Sequence, residues 1–585
     1  MRLFLLASAV VMLLGTMAAG KEPKLVPYVQ PEQMKIPEGK RSLLMQPWRA
    51  YAETVPGTKL LNGVGIYYKH IPHNADHDAV IGLFAECGFS FIRLAPHANI
   101  MPWDGNKIGG TKEFIEQLRA CKKHNIRPQM VLIGHAYQPC PIRRTSKKVV
   151  KDAPKGVRQL TLDSVDGLVT RYSGISTLTD YVSAEVLFTD INAKTNVVKL
   201  SRPLPKELKA GSGVSIATLK TLPLYPVGTK EFEATVEQML KYEDAVLDWL
   251  DETDIDDFNL EIWAGLEWSG GRKYVMGINE YYDPPLFKNI KEPLEPGGHA
   301  FELGRRMAAF GKKRFPKAKV IWNFTNYEFY DLDLAALPDK VDAITWSFYD
   351  APPLEVPKNF PPKDKRGTYI EQPLPKYRLV LTEGWAHLFT KGPSLMPVLA
   401  PEARAKVAAA RGGKFGYFTS ALGFQPRHAG VKDADRAHEL KAKFAARALL
   451  FWLNKGLDGV LIHSAYEPGD EANWTVLYSG LATSAYAKYP KEKLMSPVLK
   501  IVKNITGKFK GSKDLPKTRQ LAFAISPSAK RANLPGKMKT SDILALLPYQ
   551  LDKRRFIVAA YLMTPDITVP LDDKFSVRVA GIAGK

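Results

Sequence analysis

The sequence predicts an α/β protein built on a (β/α)8 barrel, with a β-rich domain inserted after the third strand and a β-module at the C-terminus. From about Leu60, short apolar strands alternate with amphipathic helices, and the alternation yields eight strands. One stretch of short β-like runs and turn residues interrupts it. The 585 residues hold such a barrel, which takes about 250 residues, together with further modules.

The predicted barrel strands follow one another along the chain. They are residues 63–68, 89–94, 128–133, 258–263, 319–324, 341–348, 377–382 and 457–464. The intervening helices show apolar residues at helical spacing, as at Val80, Leu83 and Phe84, and Gly88 ends the first of these helices. Ligand sites of such barrels lie at the carboxyl ends of the strands, where we expect the functional residues.

The domain boundaries follow from where the alternation starts, breaks and stops. The barrel is predicted over 60–149 and 226–490, the inserted β-domain over 150–225 and the C-terminal β-domain over 491–585. Segment 21–59 is predicted to pack on the C-terminal module. The β-like runs of the insert are 158–162, 186–189, 196–200 and 213–217; those of the C-terminal module are 520–525, 542–547, 555–563 and 575–579.

Residues 1–20 have the pattern of a cleaved signal peptide. Arg2 is followed by an apolar run over 3–14 and by the small residues Ala18, Ala19 and Gly20. The run is shorter than the ~20 residues that a membrane span needs, and no later segment reaches that length. We expect a secreted or periplasmic protein without a stable membrane span; an uncleaved N-terminal anchor is the alternative.

The composition favours some partners over others. A formal net charge of +22 and a pI near 9.5 attract polyanions, which for an exported protein are acidic glycans, anionic lipid or nucleic acid; of these, an acidic glycan is expected. The lysines are spread along the chain without dense basic runs, so no nucleic-acid partner is predicted. A merely soluble basic surface is the alternative. Cys87, Cys121 and Cys140 form no disulfide framework, although a Cys87–Cys121 bridge is conceivable.

The predicted seventh strand ends in Leu381-Thr382-Glu383-Gly384-Trp385, with the carboxylate where an apolar strand emerges. This motif resembles the nucleophile motif of the large (β/α)8 clan of retaining glycoside hydrolases. The resemblance implies that Glu383 is a nucleophile. Members of that clan carry an arginine at the end of the second strand that keeps the nucleophile ionised, and Arg93 matches it. A capping glutamate and an ordinary ion pair are the structural alternatives.

The predicted fourth strand departs from the clan's Trp-Asn-Glu motif. Glu261-Ile262-Trp263 fits the approach to it, but Ala264 and Gly265 stand where the sugar-binding asparagine and the acid/base glutamate align. Either Glu267, which shares strand parity with Trp263, has become the acid/base, or the barrel has lost hydrolysis. Glu261 lies deeper along the strand and is interpreted as a structural group.

Further residues at predicted strand ends are candidates for sugar binding. Aromatic faces can stack on sugar rings, and polar groups can bind hydroxyls. The substrate-binding candidates, beside Arg93, are Trp263, Trp268, Asn323, Trp346, Tyr349, Trp385 and His463. Each aromatic residue and histidine taken alone is more often part of a core.

No cofactor or metal is predicted. His70, His73 and His77 form a dense stretch after the first strand, but their spacing matches no zinc pattern. The sequence holds no phosphate-binding loop and no dinucleotide fingerprint.

Three functions remain open from the sequence. The first is an exported glycoside hydrolase with Glu383 as nucleophile and Glu267 as acid/base. The second is a carbohydrate-binding protein without hydrolytic activity on a degenerate glycosidase barrel. The third is an adhesion or assembly protein whose β-modules carry the function.

Overall fold

The structure of the chain is a computed structural model. It describes residues 26–27, 40–42, 53–68, 71, 75–95, 108, 110–134, 142–175, 186–219, 226–264, 295–324, 333–349, 355–357, 401–423, 426, 431, 433–466, 495–527, 544–562 and 574–582.

Eight parallel strands close into a barrel, which confirms the predicted fold class. In chain order they are Val64–Tyr67, Phe91–Leu94, Arg127–Gly134, Asn259–Ala264, Lys319–Phe324, Ala343–Tyr349, Gly416–Gly423 and Val460–Ile462. The eighth strand pairs with the first in the register Val460↔Val64, and the fourth pairs with the fifth in the register Asn259↔Lys319. The described residues of these strands are almost all buried, as in parallel sheets covered on both faces.

The seventh place in the barrel is taken by Gly416–Gly423, which corrects our assignment of that place to 377–382. Residues 377–382 themselves lie outside the described residues. All eight residues of Gly416–Gly423 are buried, and Leu422 pairs with Ile462 of the eighth strand. A strand buried on both faces shows no polar alternation, and the two glycines and the alanine of this strand lower its β-propensity.

Helices lie before the first barrel strand, between the barrel strands and after the last one. They are Thr58–Asn62, His77–Glu86, Thr111–Lys123, Lys230–Glu252, His299–Arg314, Pro401–Ala410, Ala434–Asn454 and Pro497–Phe509, with a 3-10 turn at Leu334–Ala336. Side chains of Asp76, Thr229, Asp433 and Ser496 accept hydrogen bonds from backbone N–H groups in the first turns of four of these helices. Such caps satisfy donors that have no partner inside the helix and so fix where each helix begins.

The chain divides into two compact units. One comprises 1–93, 124–126 and 347–585; the other comprises 94–123 and 127–346.

In the first unit, two glycines make room for large aromatic rings that pack against them. A Cβ on Gly65 would lie 2.3 Å from Phe91, and a Cβ on Gly459 would lie 2.3 Å from Phe418. The rings of Phe91 and Phe418 pack edge to face with centroids 6.2 Å apart.

The second unit includes a six-stranded antiparallel sheet inserted after the third barrel strand. Its strands are Ile142–Lys148, Gln159–Thr161, Ser173–Ile175, Val186–Asn192, Val197–Leu200 and Gly213–Leu219. The first of them lies within the range predicted for the barrel. The outermost pair of the insert, Ile142↔Leu219, is in register. A separate core that includes Val149, Phe188, Val198 and Ile216 underlies this domain.

The first unit also holds the C-terminal β-structure. Val26–Pro27, Ala522–Pro527 and Phe575–Ala580 form one three-stranded sheet. Val55–Pro56, Leu544–Gln550 and Phe556–Leu562 form a second, and Lys40–Ser42 pairs with Glu355–Pro357. Strands from the N-terminal segment thus pair with strands of the C-terminal module.

Cys87 and Cys121 are free and buried, so the conceivable bridge between them is not formed. Burial raises the pKa of the Cys87 thiol to about 11 and that of the Cys121 thiol to about 12. Both thiols therefore stay protonated at neutral pH and pack as small apolar side chains in the core. Among the described residues, no helix combines the length and apolar character that crossing a bilayer requires.

Candidate functional site

Arg93 is fixed by an aromatic side chain of the neighbouring strand in the first unit. Its guanidinium carbon lies 4.5 Å from the centroid of the Tyr67 ring, within the range of a cation–π interaction. Tyr67 and Arg93 are paired in register between the first and second barrel strands, so both side chains lie on the same side of the sheet. Arg93 is only 5% exposed. The sequence therefore buries a permanent cation at the carboxyl end of a barrel strand.

His463 lies against the same tyrosine. The centroids of the Tyr67 and His463 rings are 5.6 Å apart, so Tyr67 stands between the guanidinium and the imidazole. Backbone hydrogen bonds hold the strand ends together: Tyr68 N donates to Arg93 O at 3.0 Å, and Ala465 N donates to Tyr67 O at 2.8 Å. The structure thus brings together two predicted site residues, Arg93 and His463, through Tyr67, which the sequence had not singled out.

A tyrosine–histidine pair follows the first strand. The Tyr68 hydroxyl and His77 Nδ1 are 2.8 Å apart, and both residues are buried. Edge-on contact with Phe84 confines the Tyr68 ring, with centroids 6.4 Å apart. His77 is the first residue of its helix, after the cap Asp76. The histidine-rich stretch therefore contributes one ordered histidine near this strand end.

In the second unit, Glu261 is the centre of a buried amide–carboxylate network. Its carboxylate accepts from Gln129 Nε2 at 2.6 Å and from Asn323 Nδ2 at 2.5 Å. Asn259 Nδ2 in turn donates to Gln129 Oε1 at 3.3 Å. All four side chains are buried and come from the third, fourth and fifth barrel strands. This arrangement agrees with the interpretation of Glu261 as a structural group.

Asn323 and Trp346 lie deep in the barrel. Asn323 is 3% exposed and its amide is bound to Glu261, while Trp346 has no exposed surface. A sugar-binding role for Trp346 would require neighbouring groups to move, since stacking needs an open ring face.

The remaining predicted site residues lie wholly or by their side chains outside the described part of the chain. Glu383, Glu267, Trp268 and Trp385 lie outside the described residues, and so do the side chains of Trp263 and Tyr349, whose backbones belong to the fourth and sixth strands. Ala264 is the last residue of the fourth strand, so Glu267 follows that strand by three positions.

The described residues contain no group of three or more His, Cys, Asp or Glu side chains arranged to hold a metal ion. His70 and His73 are not among them.

Sequence reasoning missed Tyr67, Gln129 and Asn259. A signal was present, since Gln129 and Asn259 are polar residues inside otherwise apolar strands. That these two residues bond to each other depends on the register Asn259↔Gln129, which places the two amides side by side.

No protein-family model matches the chain, and a comparison with curated proteins gives no match. Among solved structures, the chain is similar to a family 39 glycoside hydrolase from Bacteroides cellulosilyticus WH2, with 14% identity, a TM-score of 0.41 and coverage of 90% of this chain and 80% of that one. It is also similar to an α-L-arabinofuranosidase from Thermotoga maritima (11% identity, TM-score 0.41, 87% and 83% covered) and an endo-β-1,4-mannanase from Thermotoga petrophila (12% identity, TM-score 0.35, 83% and 81% covered). With TM-scores below 0.5, these likenesses add nothing to the closed barrel already described.

Proposed function

We propose that the chain is an exported glycoside hydrolase that cleaves a polysaccharide or oligosaccharide by a retaining mechanism with two carboxylates. Glu383 acts as the nucleophile and Glu267 as the acid/base. The observation that carries the proposal is the buried Arg93 at the end of the second barrel strand. A buried guanidinium is tolerated when an anion or several acceptors compensate it, and a carboxylate beside it is kept ionised.

The chain positions of the two glutamates are compatible with these roles. Glu383 falls in the segment between the sixth strand, which ends at Tyr349, and the helix that starts at Pro401. Glu267 falls in the segment after the fourth strand, which ends at Ala264. Segments that follow barrel strands form the face on which barrel enzymes act. With the seventh place of the barrel taken by Gly416–Gly423, Glu383 still falls along the chain in a segment that follows a barrel strand.

The proposed reaction has two steps. The Glu383 carboxylate attacks the anomeric carbon while the Glu267 carboxyl protonates the departing glycosidic oxygen, which gives a glycosyl–enzyme ester and a free alcohol. Glu267, now ionised, then removes a proton from water, which attacks the same carbon and releases Glu383. Retention requires carboxyl groups about 5–5.5 Å apart, and this separation is part of the proposal.

Sugar binding is assigned to groups around these carboxylates. Trp263, Trp268, Tyr349 and Trp385 supply aromatic faces, and His463 supplies a hydrogen-bonding group. The net charge of +22 supports an acidic polysaccharide as the substrate.

A non-hydrolytic carbohydrate-binding protein is the second candidate function. It is favoured by Ala264 and Gly265, which stand where the resembled clan has its asparagine and acid/base glutamate. In that case the barrel would bind glycans without cleaving them.

The test compares Glu383→Gln and Glu267→Gln with Glu402→Gln, an exposed glutamate of the helix before the seventh strand. We expect Glu383→Gln to abolish turnover of dinitrophenyl glycosides. Glu267→Gln should spare these substrates more than glycosides with poor leaving groups, because dinitrophenolate departs without protonation. Unchanged rates in Glu383→Gln would refute the nucleophile. Glycan binding without new reducing ends in the wild type would favour the second candidate.

A further inference from the structure

The inserted domain presents one edge where two chain segments run antiparallel. Ala153 and Leu208 exchange two backbone hydrogen bonds of 2.8 and 2.9 Å. Further along, Gly156 N donates to Leu204 O at 2.9 Å, and Leu204 N donates to Val157 O at 2.8 Å. These bonds align segment 151–158 with segment 201–209, so side chains from the two segments are neighbours.

The apolar residues of both segments anchor the edge. Ala153 and Leu204 belong to the separate core of the inserted domain, and Val157 and Leu208 pack against it. The charged residues between them are directed to solvent: Lys151, Lys155, Arg158, Lys206 and Lys209 are all exposed. The backbone geometry therefore concentrates cations on a surface supported by a packed core.

One lysine of this edge forms ion pairs with both of its acidic side chains. Lys209 Nζ lies 3.3 Å from Asp152 Oδ2 and also pairs with Glu207. These contacts, first with Glu207 and then with Asp152, raise the pKa of Lys209. Asp152 in addition accepts from the backbone of Ala210 at 2.8 Å. Lys209 thereby compensates one of the two negative charges of the edge, and both acidic side chains lie in a single cluster.

Four exposed cations of the two segments form a surface that we name the basic edge: Lys151, Lys155, Arg158 and Lys206. Arg202 also lies in the second segment, but it is only partly exposed and has a partner of its own. Within the part of the chain that the structure describes, none of the four has an acidic group at ion-pair distance. Arg158 makes a long contact of 3.5 Å to the backbone oxygen of Ser201, which leaves its charge uncompensated. Four uncompensated cations on two paired segments create a positive potential that attracts an extended anion.

We propose that the basic edge is a docking site for an anionic polysaccharide, one that carries uronate carboxylates or sulfates, separate from the site at the barrel strand ends. The choice of a glycan rests on the proposed function of the barrel. Residues 150–158 and 201–210 contain no aromatic residue. Sites for single-stranded nucleic acids stack bases on aromatic side chains, so this composition argues against a single-stranded nucleic acid. Duplex DNA is held mainly by charge, and it is therefore included in the test as a competitor.

The test is a binding comparison on the full-length protein with two charge-matched variants. The edge variant carries Lys151→Gln, Lys155→Gln, Arg158→Gln and Lys206→Gln. The control variant carries Lys500→Gln, Lys508→Gln, Lys513→Gln and Lys517→Gln, four exposed lysines of the C-terminal part. Both lose the same net charge, and unchanged thermal melting verifies that both are folded. The probes are polygalacturonate, dextran sulfate, neutral dextran and random-sequence duplex DNA.

We expect the wild type and the control variant to bind at least one of the two anionic glycans, with affinity that falls as salt is added, and not to bind neutral dextran. The edge variant should bind about tenfold or more weakly at low ionic strength. Polygalacturonate and dextran sulfate separate carboxylate from sulfate recognition. An equal loss in both variants, no glycan binding by the wild type, or tighter binding of DNA than of either glycan would overturn the proposal.

Turnover of a small aryl glycoside is measured in parallel. The edge variant should retain the wild-type rate because its substitutions lie in the inserted domain. Absence of hydrolysis in the wild type would count against the proposed function of the barrel. The binding comparison would still test the basic edge, because it does not depend on turnover.

Discussion

Asn323 of the fifth barrel strand donates a hydrogen bond of 2.5 Å to the buried carboxylate of Glu261 on the fourth. Gln129 of the third strand donates to the other oxygen of the same carboxylate. One acidic side chain thus ties three consecutive strands together inside the barrel. Its two oxygens accept the hydrogen bonds that the buried amides would otherwise donate to water.

Removal of Glu261 should destabilise the protein strongly. Glu261→Ala leaves two buried amides without their acceptor and creates a cavity, and we expect a loss of about 3–5 kcal/mol in the free energy of unfolding. Urea denaturation measures this loss. A double-mutant cycle with Asn323→Ala should give a coupling energy of about 1–3 kcal/mol. Additive losses would show that the short Glu261–Asn323 contact contributes no stability of its own.

Tyr67 should act as a positioning residue for the proposed reaction. Its ring face holds Arg93, so Tyr67→Phe retains the contact and Tyr67→Leu loses it. We expect Tyr67→Phe to keep kcat/KM within about twofold and Tyr67→Leu to lower it about tenfold.

The pH profile separates this positioning role from a general loss of folding. In Tyr67→Leu, a less ordered guanidinium should raise the pKa of the nucleophile, so the acidic limb of kcat/KM should move to higher pH. Lower activity with an unmoved acidic limb would contradict the positioning role. Thermal melting of both variants verifies that each is folded.

Glu243 should make the protein less stable at high pH. It is fully buried in the helix Lys230–Glu252, and neither carboxyl oxygen has a hydrogen-bond partner among the described residues. Burial, and secondarily the charge of Asp244, raises its pKa well above the usual value. The folded state therefore holds a proton that the unfolded chain releases above about pH 4.5. Stability falls as the pH rises through the raised folded pKa.

Glu243→Met should consequently stabilise the protein by about 1–3 kcal/mol at pH 8, and less at pH 5. Urea denaturation at the two pH values measures this difference. Glu237→Gln, an exposed position on the same helix, should change stability by less than about 0.5 kcal/mol at both. A gain that is equal at pH 5 and pH 8 would contradict an ionisation effect.

Lys455 should give the opposite pH dependence. Burial lowers its pKa to about 7; the negative charge of Glu53 opposes this shift, and the positive charge of Arg404 adds to it. Between this pH and its usual pKa of 10.5, the unfolded chain binds a proton that the folded state lacks, so stability rises with pH. Below about pH 7 the full cost of burying the ammonium group is present.

Lys455→Met should raise stability by roughly 1–4 kcal/mol at pH 6 and by less at pH 10. Some of this gain is offset because Lys455 Nζ donates to Asn454 Oδ1 at 2.9 Å. Thermal or urea unfolding across this pH range is the measurement, with Lys500→Met, an exposed lysine, as the control. A destabilised variant at pH 6 would mean that the lysine is compensated when charged.

Most of the barrel was predictable because its strands and helices differ in hydrophobic period. Seven of the eight strands lie where the sequence predicts them, as Lys319–Phe324 illustrates. The seventh strand was not predicted, because residues 377–382 have the stronger β-branched and apolar character in the sequence. Gly416–Gly423 has a weaker local signal, and its burial on both faces is visible only in the folded barrel.

The candidate site was predictable only in part. Arg93 could be named from the family resemblance and His463 from its place at a strand end, and the structure joins them through Tyr67. That contact, and the bonds of Gln129 and Asn323 to Glu261, depend on the register between strands. A register is fixed by the closed barrel as a whole, so no local pattern in the sequence reveals it.

The inserted domain leaves and rejoins the barrel chain through two strands that are partners, with Ile142 opposite Leu219. Paired residues of antiparallel strands have Cα atoms only about 5 Å apart, so its entrance and exit are adjacent. A short turn could therefore replace the whole insert, and the excised piece could be grafted onto another hairpin. The pair Ile142 and Leu219 thus marks a boundary at which the inserted domain can be exchanged for another connection.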